Sequence, residues 1–187
     1  TAVEAGISLH EKYGDKLDKI SSIEVETQEP AVRIISKTGP LHNYADRDHC
    51  LQYMIAIALI YGEVEAKHYQ DEIASNSMID SLREKMVISE NPKFSSDYLD
   101  PTKRSIANSI SLVFDDGSKS EKITVEYPVG HRNRREEGIP LLIDKFKNAI
   151  KSYYPRNQSD DILNSFLDME SLSSMSVNEM MDKLIIK

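Results

Sequence analysis

Only one cysteine, Cys50, occurs in the 187 residues, so no intrachain disulfide can cross-link the chain and a reducing compartment is the expected setting. A lone thiol cannot build a cluster site, and no pair of His or Cys residues shows the short spacing of zinc or iron–sulfur ligands. No metal site is expected, and Cys50 reads as a buried, inert thiol. Long apolar runs are missing as well: nothing approaches the ~20 residues that span a bilayer, and no signal-peptide pattern opens the chain. A cytoplasmic protein is expected, or one of the mitochondrial matrix in a eukaryote. Basic charge is in short supply, 23 Lys and Arg against 31 Asp and Glu, a net −8. That is the wrong sign for a nucleic-acid partner, and any anionic ligand would need a local basic pocket. Internal repeats and low-complexity segments are also absent. What remains, 40% hydrophobic and 29% charged, is the composition of a globular domain with appendages.

Periodicity along the chain predicts an α+β fold. Residues 1–13 read as a helix with Val3, Ile7 and either Leu9 or His10 facing inward. Residues 20–27 alternate as a half-buried strand, and Glu29-Pro30-Ala31 opens a short helix that Gly39-Pro40 ends. Residues 44–61 are predicted as one helix capped by Gly62, followed by short helices near 66–74 and 77–85 and a strand from Lys85. One helical turn is expected at 94–99. Residues 109–114 and 122–127 flank Asp115-Asp116-Gly117-Ser118, a strong hairpin signal. After Pro140, helices are expected at 141–153, 158–167 and 176–185. The sum is a roughly four-stranded sheet with one antiparallel hairpin, packed against helices.

The most informative stretch is residues 37–53, where a Gly-Pro turn leads into a charged, His-bearing helix start. With Asn43 as N-cap, Asp46, His49 and Tyr53 fall at i, i+3 and i+7 and share a face. Leu51, Met54, Ile55 and Ala58 form the opposite stripe, and the run beyond Tyr53 is apolar all round, as in a buried helix. An acid, an imidazole and a phenol would meet where a buried helix reaches the surface, a setting for proton transfer. The plainer reading gives the same residues capping, dipole and hydrogen-bonding roles.

Cations mark where an anion could bind. Arg132, Arg134 and Arg135 follow Gly130 and His131 in a loop, and Lys103 and Arg104 precede the hairpin. Arg47 sits beside the His49–Tyr53 face, although its position leans toward the core stripe and it could instead brace Asp46. Lys37 and His42 lie on the loop entering the helix. Arginine suits a carboxylate ligand because its planar fork holds both oxygens. On the residues alone, a solvated basic loop balanced by Glu136 and Glu137 is the favoured reading of the Arg cluster. His10 and His68 have no constellation around them.

Several long blocks resemble the C-terminal part of the MmgE/PrpD family, in the family's order. They are Lys-Thr-Gly-Pro-Leu at 37–41, Asp-Arg-Asp-His-Cys-Leu-Gln-Tyr-Met at 46–54 and Asp-Pro-Thr-Lys-Arg-Ser-Ile-Ala-Asn at 100–108. Val-Glu-Tyr-Pro-Val-Gly-His-Arg-Asn-Arg-Arg-Glu-Glu-Gly-Ile-Pro-Leu-Leu at 125–142 and Met-Ser-Val-Asn-Glu-Met-Met-Asp at 175–182 complete the set.

The resemblance implies a carbon–oxygen lyase that dehydrates 2-methylcitrate to 2-methyl-cis-aconitate in propionate breakdown, without a cofactor. Decarboxylation or epimerisation of a related polycarboxylate, or a lid without activity of its own, are the alternatives. It further implies that a large helical domain, bearing the family's catalytic Lys and His segment, precedes Thr1 and is this chain's partner. On that expectation residues 1–17 and 151–187 are helices of the helical domain, and 18–150 form a lid-like α+β domain. A homodimer is expected through the apolar stripes of the end helices. Tyr53 and His49, with Asp46, become the expected proton-transfer groups. Arg47, Lys37, Lys103, His131, Arg132 and Arg134 become the expected ligands of a tricarboxylate.

Overall fold

Helix α1 (Ala2–Tyr13) and a 3-10 turn lead into β1 (Ile20–Thr27), the strand around which the first half of the chain is organised. The computed structural model describes residues 1–186, and the chain divides into two units, Thr1–Pro128 and Val129–Lys187. After β1 come α2 (Glu29–Ile34), α3 (Tyr44–Asp48), α4 (Leu51–Tyr61), a 3-10 turn at Ala66–Tyr69, α5 (Asp71–Ala74) and α6 (Ser77–Glu84). This excursion returns to β2 (Met86–Glu90), which pairs with β1 in parallel, so a long crossover is obligatory. Helix α7 (Pro92–Leu99) precedes β3 (Asn108–Phe114) and β4 (Ile123–Val125), and the sheet order is β2-β1-β3-β4.

The sheet is the predicted four-stranded one, and β3 and β4 form the predicted antiparallel pair. Gly117, at φ 81°, occupies the left-handed position of the turn that Asp-Gly announces. The hairpin then departs from a regular ladder at Ser120. Its N–H donates to the Leu112 carbonyl while its hydroxyl accepts from the Leu112 N–H, and β4 is only three residues long.

One face of the sheet carries the core. Val25 opposes Ile110 and Ile23 opposes Leu112, and all four are fully buried against α4 and its neighbours. Helix α4 is enclosed on every side, with Ile55, Ala56, Ile57, Ala58 and Leu59 fully buried. Its end is set by Gly62, at φ 68°, as the sequence indicates. The opposite face of the sheet is polar: Ser109 and Ser111 donate to Glu26 and Glu24, which also receive Lys122 and Lys119.

Several expectations are corrected. Helix α1 is not an appendage of 1–17 set apart from residues 18–150. It packs into the first unit against α4, β3 and β4, and the division falls after Pro128 rather than at 150. Its inward residues are Ala2, Ala5, Gly6 and Leu9, while Val3 and Ile7 are only part-buried. Small residues win that face because the helices approach closely: a Cβ on Gly6 would lie 2.8 Å from Ala58 Cβ. Helix 44–61 is two helices, and α7 is longer than one turn.

The regular elements among the described residues of the second unit are a 3-10 turn at Arg132–Arg134 and the helices α8 (Arg135–Tyr153), α9 (Arg156–Leu167), α10 (Met169–Ser174) and α11 (Val177–Lys183). Helix α8 begins before Pro140, not after it. The proline falls in the second turn, where only the carbonyl of exposed Glu136 forfeits its helical partner. Gly138 is required there, since a Cβ would lie 2.2 Å from the Val129 carbonyl oxygen. Ile150, Ile162 and Leu163 are buried, the rings of Phe146 and Phe166 meet at 5.5 Å, and Tyr154 donates to the Leu184 carbonyl. No helix among the described residues is long and apolar enough to cross a membrane.

Candidate functional site

The crossover between β1 and β2 positions the residues singled out by the sequence. Asn43 caps α3 as expected, its side chain accepting from the Asp46 N–H at 2.9 Å, while the Asp46 carboxylate accepts from the His42 N–H at 3.1 Å. Asp46 is thereby a capping residue. The helix then breaks at His49 and Cys50, whose backbone becomes extended (φ −125°, ψ 110° at Cys50). The break has a tertiary cause. The chain leaving α2 runs past the start of α4, and the Ile35 carbonyl takes the Leu51 N–H at 2.8 Å. Gln52 fastens the same strip, donating to Ser36 Oγ and accepting from the Lys37 N–H. Cys50 is fully buried beneath it, as the sequence suggests.

The break separates the expected trio. His49 turns outward, its side chain 68% exposed, and contacts Asp48 at 3.3 Å. Tyr53 points inward, 2% exposed, and its hydroxyl donates to the His68 carbonyl at 2.6 Å. Asp46, His49 and Tyr53 therefore do not share a face. Burial pushes the Tyr53 phenol up to about 12, so it is a neutral donor across the ordinary pH range.

Tyr53 belongs to a tier of aromatic rings instead. Tyr69 stacks on it at 6.0 Å and meets Tyr44 at 5.2 Å, and burial also raises the Tyr69 phenol. His68, which the sequence left without a role, is buried and stacked on Tyr61 at 4.9 Å. Its Nδ1 accepts from the Glu65 N–H at 2.9 Å, which ties the 3-10 turn over α4.

Beside this tier lies a cavity of about 280 Å³ lined by Leu41, Arg47, Tyr53, Asp71, Asp80 and Arg83, among others. A larger one of about 510 Å³, lined by Lys37, Gly39, Glu84 and Met86, shares Pro40, Asp80 and Arg83 with it. Arg47 is buried, donates to the Tyr69 carbonyl at 2.7 Å and pairs with Asp71 at 2.6 Å. It therefore neither braces Asp46 nor faces the bulk solvent. Arg83 pairs with Asp80 and donates to the Gly39 carbonyl at 2.8 Å, which fixes the Gly-Pro turn against α6. The structure thus brings together Lys37, Arg47 and Tyr53 around two adjoining cavities and adds Arg83, Asp71 and Asp80. These additions had little signal in the sequence. Asp80 and Arg83 are spaced i, i+3 on an amphipathic helix and resemble a surface pair.

Lys103 is committed elsewhere. It and Lys93 both grip the carboxylate of Asp97, a buried residue, and Lys103 lines neither cavity. The two lysines hold Asp97 below the usual carboxylate range. His131, Arg132 and Arg134 lie in the second unit. There His131 caps a 3-10 turn by accepting from the Asn133 N–H, and Arg134 pairs with Glu137 at 2.7 Å, holding that carboxyl below its ordinary value. No group of three or more His, Cys, Asp or Glu side chains that could hold a metal occurs among the described residues.

Comparison with known proteins gives a single family. The MmgE/PrpD C-terminal domain matches residues 1–169. The 2-methylcitrate dehydratase of Escherichia coli K12 is 47% identical over 189 aligned residues, covering 100% of this chain and 39% of its own length. The mitochondrial 2-methylcitrate dehydratase of Yarrowia lipolytica is also 47% identical, covering 100% of this chain and 36% of its own. A probable 2-methylcitrate dehydratase of Saccharomyces cerevisiae is 45% identical over 97% of this chain and 36% of its own length. The chain thus spans well under half the length of these curated relatives.

Proposed function

Because the chain belongs to the MmgE/PrpD family, we propose that it forms part of a hydro-lyase that dehydrates 2-methylcitrate to 2-methyl-cis-aconitate. Whole-chain identity of 47% to enzymes of that name motivates the substrate, and the cavity where Tyr53 meets Arg47 is the observation that carries the site.

Dehydration removes a proton from the carbon next to a carboxylate and expels hydroxide from its neighbour. The leaving hydroxide needs a proton, and the neutral phenol of Tyr53 beside the cavity is the candidate donor. For that step the Tyr53 O–H turns from the His68 carbonyl to the substrate hydroxyl. Electron density that builds on the carboxylate as the C–H bond breaks calls for cationic donors, and Arg47 and Lys37, which line the two cavities, are the candidates. The base is then drawn from the portion of the enzyme that corresponds to the rest of the relatives' length. His49, exposed beside Asp48, takes part only if that portion covers it. Asp46 keeps α3 in place rather than meeting substrate. Lys103, with His131, Arg132 and Arg134 of the second unit, are secondary candidates for substrate carboxylates. Exposed Ile139, Leu141 and Leu142 support self-association as a homodimer, checked by light scattering. A cytoplasmic or matrix location accompanies the reading.

The test is turnover of 2-methylcitrate, citrate and cis-aconitate by the intact enzyme carrying this chain, with Tyr53→Phe and His49→Gln alongside. Tyr53→Phe should lower kcat by roughly 10²-fold or more, the scale of a lost proton-transfer group. Normal kcat in both variants sinks the assignment. Loss of carbon dioxide from cis-aconitate without dehydration of 2-methylcitrate replaces the reaction with a decarboxylation.

A further inference from the structure

Two guanidinium groups frame the smaller cavity, and each is far more deeply buried than the carboxylate that holds it. The Arg47 side chain is 8% exposed and that of its partner Asp71 is 88% exposed. The Arg83 side chain is 8% exposed against 63% for Asp80. This is an unequal way to neutralise a buried cation. The cation bears the loss of hydration, while a carboxylate standing in water returns a screened attraction. Arg83 is also incompletely used. One Nη meets Asp80 and the other the Gly39 carbonyl, but its enclosed Nε–H donates to no group among the described residues.

We propose that Arg83 is a second carboxylate anchor beside Arg47, and that Asp80 and Asp71 are resident stand-ins that a polycarboxylate ligand displaces. The inference deepens the dehydratase reading and rests on that reading's placement of substrate in this cavity.

The planar fork of arginine binds both oxygens of a carboxylate when Nε and an Nη point to it together. Asp80 engages only an Nη, so a ligand carboxylate that also reaches Nε replaces a partial contact with a complete one. Asp71 and Asp80 sit mostly in water, so they can turn away without leaving a buried charge unpaired once the ligand's own carboxylates are in place. Arg47 and Arg83 line one cavity, and Arg83 also borders the larger one toward Lys37, so a ligand with several carboxylates has a cation at each turn. The stand-ins keep both guanidiniums neutralised and oriented in the unliganded protein, and they compete with every incoming anion.

Competition sets the sign of the test. If Asp80 and Asp71 are stand-ins, removing their charge strengthens ligand binding. If they merely brace the arginines, removing it weakens binding. The measurement is calorimetric titration of the intact enzyme with tricarballylate, a tricarboxylate lacking the hydroxyl that is lost in dehydration. Asp80→Asn, Asp71→Asn and Arg83→Lys are compared with wild type. Glu11→Gln, on α1 and lining neither cavity, makes the same change in net charge.

Asp80→Asn and Asp71→Asn are expected to tighten tricarballylate binding by about 3–10-fold beyond Glu11→Gln, and Arg83→Lys to weaken it by about tenfold or more. The Asp71 side chain is 88% exposed, so Asp71→Asn removes no core packing, and circular dichroism of each variant checks that it is folded. Unchanged or weaker binding in both Asp variants, unchanged binding in Arg83→Lys, or no tricarballylate binding at all overturns the inference. The two readings fail separately. Dehydration of 2-methylcitrate with KM untouched by Asp80→Asn and Arg83→Lys removes the anchor and leaves the function. The expected tricarballylate pattern without dehydration leaves the anchor and removes the function.

Discussion

In Thr1–Pro128 the side chains of Leu9, Ile23, Ile55, Ile57, Leu59, Ile110 and Leu112 are fully buried, whereas in Val129–Lys187 only Ile150, Ile162 and Leu163 are buried hydrophobics among the described residues. The second unit instead exposes Ile139, Leu141, Leu142, Met169 and Val177. The difference follows from architecture. A sheet offers one broad apolar face, and α1, α4 and α6 can all reach the core built on it, so a helix that is apolar all round finds partners on every side. A few helices without a sheet meet along narrow stripes, and the remaining apolar residues stay in water. The candidate site belongs to the first unit, where a rigid core can hold Tyr53 and Arg47 in place.

Truncation tests this contrast most strongly. Leu59→Ala should lower the unfolding free energy by ~2–5 kcal/mol, because it removes buried methyl groups from a core that cannot collapse around the gap. Leu142→Ala, at a side chain 65% exposed, should change it by less than about 0.5 kcal/mol. Urea melts followed by circular dichroism measure both. Equal losses would show that Leu142 is covered in solution and that the two units are not so different.

Sequence patterns announced what local chemistry decides. The alternation of β1, the Asp-Gly hairpin, the Asn43 cap and the Gly62 terminus all depend on residues close in the chain, and all appear. The continuous helix over 44–61 failed because its interruption comes from Ile35 and Gln52, which bind α4 to a passing strip of chain. Periodicity cannot see that strip, so His49 and Tyr53 were placed together when they point apart. Arg83 was missed for a similar reason. Its spacing from Asp80 marks a surface pair, and only the Gly39 turn folding over α6 buries it. Long sequence blocks revealed the family, while the geometry of the site required tertiary contacts.

Helix endings give a second, smaller contrast. The positive-φ glycines of the described residues, Gly39, Gly62 and Gly117, all lie in the first unit. Gly62→Ala should destabilise by about 1–3 kcal/mol, through strain at φ 68° and a Cβ 2.6 Å from the ring of His10, which is held by the Leu59 carbonyl. Gly130→Ala in the second unit meets nothing within 4 Å and should leave the melting temperature unchanged. A fall in melting temperature for Gly130→Ala as large as for Gly62→Ala would erase the distinction.

The smallest expected effect is a pH dependence confined to the first unit. Tyr53 loses its proton near pH 10 when unfolded, but burial holds it protonated to about 12 in the native state. Between those values the unfolded chain binds fewer protons than the folded one, so stability falls as pH rises. The contribution is complete below pH about 10 and is lost progressively through about 12. Comparing urea midpoints at pH about 8 and about 11 should therefore show a smaller alkaline loss for Tyr53→Phe than for wild type. Some loss remains, because burial raises Tyr69 in the same direction. An alkaline loss unchanged in Tyr53→Phe would mean that its phenol is not desolvated. The acid role proposed for it would then lose the water-excluded setting in which the phenol meets the substrate.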